Sequence, residues 1–475
     1  MPTLDYTFAE FTVSVCSKCL QRADAKVLIR DGKVYLRKHC LEHGQETALI
    51  ATDVEYWRKS RAYLKPGEIP RRFNTRTEFG CPYDCGICPD HEQHSCLTVL
   101  EITDRCNLKC PTCYAGSGPE AGRHRTLEEI EFMLDTVVAN EGEPDIVQIS
   151  GGEPTLHPRF FEVMAAAKRR PIRHLMLNTN GIRIAREEGF AERLAALKPG
   201  FEVYLQFDSL REGPLRTLRD ADLRDVRRKA LERLNAAGIS TTLVVTLQKG
   251  LNDGEIGDIL RFALEQPCVR GVTFQPTQVA GRNEGFDAAR DRITLTEVRS
   301  AILDQCDIFS PEDIVPVPCN PDSLAMAYAL KIGGKTHPLT HLIDPNVLLD
   351  SSRNTIVYEQ QKDLRDAALK LFSTSASPEG AAGRLKHLLC CLPGFDAPRL
   401  SYDNVFRVII MQFMDAHNFD VRAVKKSCVH IATPEGLLIP FETMNLFYRD
   451  GTIDRLRAAL PRRRPAPARE QEAKA

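Results

Sequence analysis

Between residues 97 and 276 the chain alternates short apolar runs, rich in β-branched residues, with longer amphipathic stretches. The runs are LTVLEIT (97–103), DIVQIS (145–150), RHLMLNT (173–179), EVYLQFD (202–208), STTLVVTL (240–247) and VRGVTFQP (269–276). Between them stand segments such as TLEEIEFMLDTVVAN, PRFFEVMAAAKRR, AERLAALK, LRDVRRKALERLNAAG and GEIGDILRFALEQ, apolar at helical spacing. Strands separated by helices predict a parallel sheet of βαβ units, because parallel neighbours need a crossover connection. Six such units curl into an open or partial barrel, whose functional loops follow the strand C-termini.

The flanking regions read differently. TVSVCSKCL and AKVLIRDGKVYLRKHCLEHG predict short strands around metal knuckles, with Asp31-Gly32 as a hairpin turn. Residues 51–96 hold the only tryptophan, Trp57, and then a Cys/His/Pro/Gly-dense segment too irregular for a regular element. Residues 290–460 mix helical stretches (LTEVRSAILDQC, DLRDAALKLFS, AAGRLKHLLCC) with turn-rich ones, which predicts an α+β extension. The organisation expected is a metal module (1–60), a cysteine-rich segment (61–96), the partial barrel (97–285), a C-terminal substrate or auxiliary domain (286–460) and a low-complexity, disordered tail (461–475).

Composition narrows the function. The chain has 475 residues, 63 Lys+Arg against 64 Asp+Glu, and a net charge of −1, so it lacks the basic surface of a nucleic-acid binder. No apolar run approaches 18 residues, and MPTLDYTFAEF lacks the basic start and apolar core of a signal peptide, which predicts a cytoplasmic protein. Arg462–Arg464 are candidates for weak contact with anionic lipid at a membrane surface. Of the 16 cysteines, ten precede residue 114. In a reducing compartment these are better metal ligands than disulfide partners.

Three groups stand out. CNLKCPTCY supplies Cys106, Cys110 and Cys113 directly after the first barrel strand. Three thiolates can hold one cubane cluster and leave one iron without a protein ligand, as a catalytic centre requires. A zinc knuckle lacking a ligand would use the same residues, but the βα setting speaks against it. CPYDCGICPDHEQHSC supplies Cys81, Cys85, Cys88 and Cys96, enough for a complete [4Fe–4S] cluster or a zinc ion, with His91 and His94 as alternative ligands. Cys16-x2-Cys19 and Cys40-x2-His43 match a tetrahedral zinc-ribbon or rubredoxin-like site for Zn or a single Fe, with His39 competing for the fourth position. Cys268 and Cys306 read as small core residues. Cys319, Cys390, Cys391 and Cys428 are candidates for a further cluster.

The CxxxCxxC loop after the first strand, with Gly151-Gly152-Glu153-Pro154 after the second, resembles the radical S-adenosylmethionine (SAM) superfamily over about residues 97–276. The resemblance implies a cluster whose open iron chelates the amino and carboxylate groups of SAM. One electron from a flavodoxin- or ferredoxin-type donor then yields methionine and a 5′-deoxyadenosyl radical, which takes hydrogen from an unactivated C–H bond. It places Gly151, Gly152 and Pro154 against the cofactor and gives the SAM ammonium to Glu153. Asn178 and Asn180 after the third strand, and Gln206 and Asp208 after the fourth, are either turn residues or part of a hydrogen-bonding ring around adenosine and substrate.

The whole order, an N-terminal CxxC…CxxH ribbon, TRTEFGCPYDCGICPDHEQHSC running into CNLKC, and QFMDAHNFDVRAVKKSCVHIATPEGLLIPF near the end, is similar to the archaeal tetraether lipid synthase family and its bacterial relatives. Members are also described as hydroxymethyl-dihydropterin methyltransferases. That resemblance implies auxiliary clusters and either carbon–carbon bond formation on a lipid alkyl chain or methylation of a pterin. It also leads one to expect cysteines near PCNPDS and LIPFETMN, where Ser323 and Glu442 stand. The apolar runs 405–414 and 437–441 are candidates for a lipid tunnel, with core the favoured reading. The basic stretch 215–234 reads as a solvated helix face. A non-catalytic iron–sulfur carrier is the competing class, but a carrier has no use for an open cluster beside a GGEP turn.

Overall fold

A computed structural model describes residues 4–62, 69–332, 335–338, 340 and 404–460. Strands Leu97–Glu101, Ile146–Ser150, His174–Thr179, Phe201–Gln206, Thr241–Leu247 and Val269–Pro276 lie side by side in chain order, all parallel. Each coincides with one of the six apolar runs to within two residues. Alternation along the strands sorts their side chains onto two faces. Leu175, Leu177, Val203, Leu205 and Val245 pack under the connecting helices. Met176, Tyr204, Val244, Leu97 and Val99 face the other way. Helix Leu127–Glu141 shows why the crossovers form where they do. Thr126 and Glu129 close a reciprocal capping box at its start, and Ile130, Met133, Leu134 and Val137 make a buried stripe at helical spacing.

The α+β extension continues this α/β sheet at both edges. Val405–Met411 runs parallel to the sixth barrel strand, and Leu324–Ile332 pairs antiparallel beyond it. Val429–Ala432 runs parallel to the first barrel strand, followed by antiparallel Leu438–Pro440. An uncovered strand edge is a template for unwanted pairing, so the partial barrel is finished by its own C-terminal residues. The runs 405–414 and 437–441 are mostly buried here, as core.

The N-terminal module is a four-stranded antiparallel sheet, Thr7–Val15, Arg22–Arg30, Lys33–Cys40 and Gly44–Ala51. Its second turn is Asp31-Gly32, with φ of +51° and +70°, the conformation that a two-residue hairpin of matching twist demands. The Lys38 ammonium, buried, donates to the carbonyls of Ala416 and His417. Thr12 Oγ1 donates to Asp420 Oδ1 at 2.7 Å. These contacts fasten the module to the C-terminal part of the chain.

Among the described residues no helix is long and apolar enough to cross a membrane. Cys390, Cys391, the helical stretches DLRDAALKLFS and AAGRLKHLLCC, and Arg462–Arg464 lie outside the described residues.

Candidate active site and metal centres

Cys106, Cys110 and Cys113 leave the C-terminal end of the first barrel strand and line one cavity of about 760 Å³. Its walls also contain Gly151, Gly152, Glu153, Asn178, Asn180 and Gln206. Nine of the sequence candidates therefore meet at one place, contributed by the loops and ends of strands one to four. The loop after strand six holds the cysteine loop from outside. Arg282–Asn283 pairs antiparallel with Thr112–Cys113, and Arg282 donates to the carbonyls of Cys110 (2.5 Å) and Ser117 (2.7 Å). Burial pushes the Cys106 thiol up to about 12, so only a bound cation would make it a thiolate at neutral pH. Three sulfurs around a cavity open on its remaining side suit a cubane with one free iron.

Several of these residues also make contacts within the chain itself. Gly151 and Gly152 were expected to admit a ligand to the backbone. Instead a Cβ on either would lie 2.2–2.3 Å from the carbonyl oxygens of Arg105 and Thr103. Their missing side chains let the GGEP turn dock on the strand-one loop. Gly152 N donates to Thr103 O at 2.7 Å and Glu153 N to Arg105 O at 2.8 Å. The Glu153 carboxylate, expected to take an ammonium group, accepts from Thr155 N, Thr155 Oγ1, Thr179 Oγ1 and Asn180 N. Three of those bonds fall on Oε1 and one on Oε2, so Glu153 clamps the turns after strands two and three while Oε2 keeps an acceptor site in the cavity wall. Pro154 begins the short 3-10 turn Pro154–Leu156 and is buried behind the cavity. Asn180 ties in the cysteine loop through Asn107 Oδ1 at 2.7 Å.

Asp208 also turns away from the cavity. It sits at φ +66°, a left-handed position unusual for a residue with a side chain. Its carboxylate pairs with Arg219 at 2.6 and 2.7 Å. Burial opposes that charge, but Arg219 and Arg227 hold the carboxyl below its ordinary value. Arg219 continues to Gln206 Oε1 (3.2 Å), Gln206 to Asn178 Oδ1 (2.9 Å) and Asn178 to Ser150 Oγ (3.1 Å). A relay of polar groups thus runs across the ends of strands two, three and four.

Arg219 and Arg227 are the site residues that sequence reading missed. Both line the cysteine cavity, and Arg227 is 2% exposed, with Nε and Nη2 lacking a hydrogen-bond partner although Nη2 lies 3.9 Å from Asp208 Oδ2. Burial opposes the Arg219 charge, but Asp208, and then Cys110, raise it above its ordinary value. The solvated-face reading of 215–234 thus fails at two positions. The signal was present: Arg227 stands at helical spacing with Ala230, Leu231 and Leu234, in the buried stripe of its helix.

A second cavity of about 810 Å³ adjoins the first and shares Tyr114, Asn178, Gln206, Thr246 and Gln275 with it. Gln148, Gln278 and Asn283 add amide groups, and Tyr204, Phe413 and Phe441 add rings. Met411 and the two phenylalanines are its contribution from the apolar runs.

At the ribbon, Cys16, Cys19, Cys40 and His43 bring their ligand atoms within 4.8 Å of one another. Cys19 and Cys40 sulfurs are 3.8 Å apart, and His43 Nδ1 lies 3.6 Å from Cys16 Sγ and 3.5 Å from Cys40 Sγ. Bonds of about 2.3 Å to sulfur and about 2.0–2.1 Å to nitrogen give tetrahedral edges of about 3.8 and about 3.6 Å. The group therefore fits one tetrahedral ion. His39 is exposed and stands outside the group.

The expected quartet Cys81, Cys85, Cys88 and Cys96 is divided. The first three line a small cavity of about 310 Å³ with Asp90, His91 and Lys425. Cys96, at the foot of the first barrel strand, lies instead with Cys319 and Cys428, all three sulfurs within 4.8 Å. Sequence proximity suggested the quartet; strand pairing decides otherwise, because Val429–Ala432 aligns on Leu97–Leu100 and carries Cys428 to Cys96. Cys268 and Cys306 are buried core residues, as expected. Ser323 and Glu442 are buried, and Glu442 accepts from Ser427 Oγ at 2.9 Å.

Residues 100–263 match the family model described as the Radical SAM superfamily, and residues 8–52 that of the HMPTM N-terminal zinc ribbon domain. The chain is 31% identical over 478 aligned positions to the 7,8-dihydro-6-hydroxymethylpterin dimethyltransferase of Methanocaldococcus jannaschii, covering 92% of this chain and 94% of that protein. It is 33% identical to the GTP 3′,8-cyclase of Streptomyces coelicolor over 217 positions, 42% of this chain and 60% of the cyclase. Among solved structures, Streptococcus suis SuiB bound to S-adenosylmethionine matches at 18% identity and a TM-score of 0.37, over 44% of this chain and 47% of SuiB.

Proposed function

Because the chain belongs to the radical SAM family that includes the 7,8-dihydro-6-hydroxymethylpterin dimethyltransferase of Methanocaldococcus jannaschii, we propose that it is a radical SAM methyltransferase acting on a reduced pterin. The observation that carries the substrate class is the second cavity. Its amides Gln148, Gln206, Gln275 and Asn178 offer paired donors and acceptors, and its rings Tyr114, Tyr204, Phe413 and Phe441 offer flat apolar faces. A fused, nitrogen-rich heterocycle needs both. A lipid alkyl chain, the substrate of the carbon–carbon coupling reading, needs a long apolar wall, and in this lining the rings alternate with amides.

Cys106, Cys110 and Cys113 hold the [4Fe–4S] cluster in this reading. With SAM on its open iron, that cluster supplies a carbon radical able to attack an unactivated C–H bond. The chain's own residues do the placing. Arg227, a buried cation paired at 3.9 Å with Asp208, offers N–H groups without a hydrogen-bond partner to a carboxylate in the cavity. Asn178 and Gln206, shared by both cavities, fix cofactor and substrate against one another. Tyr114 stands in both walls, packed on Phe441, and excludes water between them. Cys81, Cys85 and Cys88 are the ligands of an auxiliary [4Fe–4S] cluster, and a small flavodoxin- or ferredoxin-type protein supplies electrons. The ribbon ion, held by Cys16, Cys19, Cys40 and His43, is structural.

The test is an oxygen-free incubation of 7,8-dihydro-6-hydroxymethylpterin with reconstituted enzyme, excess reductant and excess SAM, each methylation using one SAM and one electron for the radical and a second SAM, as methyl donor, with a second electron. Formation of 5′-deoxyadenosine and a pterin heavier by one or two methyl groups is expected, with Cys106→Ala silent. SAM cleavage with the pterin unchanged would remove the substrate assignment.

A further inference from the structure

We propose that Cys96, Cys319 and Cys428, with His94, form a second single-ion zinc site, separate from both the ribbon and the Cys81–Cys88 loop. The three sulfurs lie within 4.8 Å of one another, with Cys319 and Cys428 at 3.8 Å. His94 Nε2 stands 3.5 Å from Cys96 Sγ. The sulfur–sulfur spacing equals the Cys19–Cys40 edge of the ribbon, 3.8 Å, and suits one ion; His94 touches Cys96 but stands outside the group of three sulfurs, so as the fourth ligand it closes in on the ion when zinc binds. A cubane sets each thiolate on a different iron and spreads the sulfurs further. A disulfide needs about 2.05 Å and would leave the third thiol alone.

The imidazole is already set for a ligand. His94 Nδ1 meets Glu141 Oε2 at 2.9 Å, and Glu141 Oε1 accepts from Ser95 N at 3.0 Å. A carboxylate on one ring nitrogen fixes the tautomer and leaves the lone pair of the other directed at the metal, the usual support of a histidine ligand. All three cysteines are at most 2% exposed, so the sulfurs, with the imidazole beside Cys96, are shut off from solvent. Closed thiolate and imidazole sets of this kind are structural and suit zinc.

Position assigns the role. Cys96 precedes the first barrel strand and Cys428 precedes the strand that pairs with it, Leu97 N donating to Cys428 O at 3.1 Å. Cys319 precedes the strand beginning at Leu324, on the far side of the sheet order. One ion therefore ties both ends of the C-terminal extension to the foot of the barrel. The five residues of the first strand put it about 15 Å from the cysteine loop at the opposite end, a place for a staple rather than for chemistry on SAM.

Zinc and iron counted per chain in the full-length protein purified without oxygen provide the test, and need neither SAM nor pterin. Two zinc ions are expected in the wild type, one in Cys428→Ser, one in Cys16→Ser and none in the double variant, with iron unchanged in Cys428→Ser. A wild type holding one zinc that Cys16→Ser abolishes overturns the proposal, as does the loss of four irons from Cys428→Ser. Should Cys428→Ser not fold, the Cys16→Ser chain decides alone: one zinc supports the site and none refutes it.

Discussion

At the scale of single residues, burial rather than position in a motif decides what a polar group does. Glu153 and Asp208 stand at strand ends where ligand contacts were expected, and both carboxylates are fixed by donors of the chain itself. Arg227, in a stretch that reads as solvated, is sealed inside beside Asp208, with two nitrogens that have no hydrogen-bond partner. Glu442 shows the same rule in its titration. Burial raises its carboxyl from 4.5 to about 7. Between those values the folded chain keeps a proton that the unfolded chain has released, so the stabilisation is whole below about 4.5 and is lost as the pH climbs to about 7. Glu442→Gln retains an acceptor for Ser427 and does not titrate. Its thermal midpoint should exceed that of the wild type at pH 8, by a margin that shrinks towards pH 5. An equal margin at both values would show that the carboxyl is not the titrating group.

At the scale of elements, local pattern was a good guide and pairing across the chain was not. LTVLEIT, RHLMLNT and STTLVVTL each became the strand they predicted, because alternation and β-branching are properties of the run itself. The strands Val405–Met411 and Val429–Ala432 carry the same signal, but the barrel strand that each joins lies more than 100 residues away. No spacing rule reaches that far, so Cys428 could not be brought to Cys96 from sequence. The first barrel strand shows how these distant contacts act. Glu101, 3% exposed at its end, pairs with Arg449 through two bonds of 2.8 and 3.0 Å. Arg449→Met strands a buried carboxylate just before the cysteine loop. The expected loss is about 3 kcal/mol, the low end for a broken buried pair because Arg449 keeps 21% exposure. Adding Glu101→Gln should restore most of it. Denaturant midpoints of the three chains measure both effects, and additive losses would contradict the pairing.

At the scale of the whole molecule, the ribbon and the barrel meet through the segment 415–420. Lys38 donates to the carbonyls of Ala416 and His417, Thr12 to Asp420, and Glu46 accepts from His417 Nδ1 at 2.8 Å. The same segment faces the active-site side, where Asp415 accepts from Val279 N at 2.8 Å and Arg292 at 2.6 Å. The ribbon's own core is small, with Val27, Val34, Leu36 and Ala51 at its centre, so its fold leans on the ion held by Cys16, Cys19, Cys40 and His43. Removing that ion should therefore open the structure from the ribbon inward. In hydrogen exchange on Cys16→Ser, residues 7–51 should lose protection first and 415–420 with them, because Lys38 and Thr12 lose their fixed positions. The parallel strands between 97 and 276 should keep theirs, since their ladders and their core under the helices are made without the ribbon. Equal loss across the barrel would mean that the ribbon is part of one cooperative unit rather than an attached module.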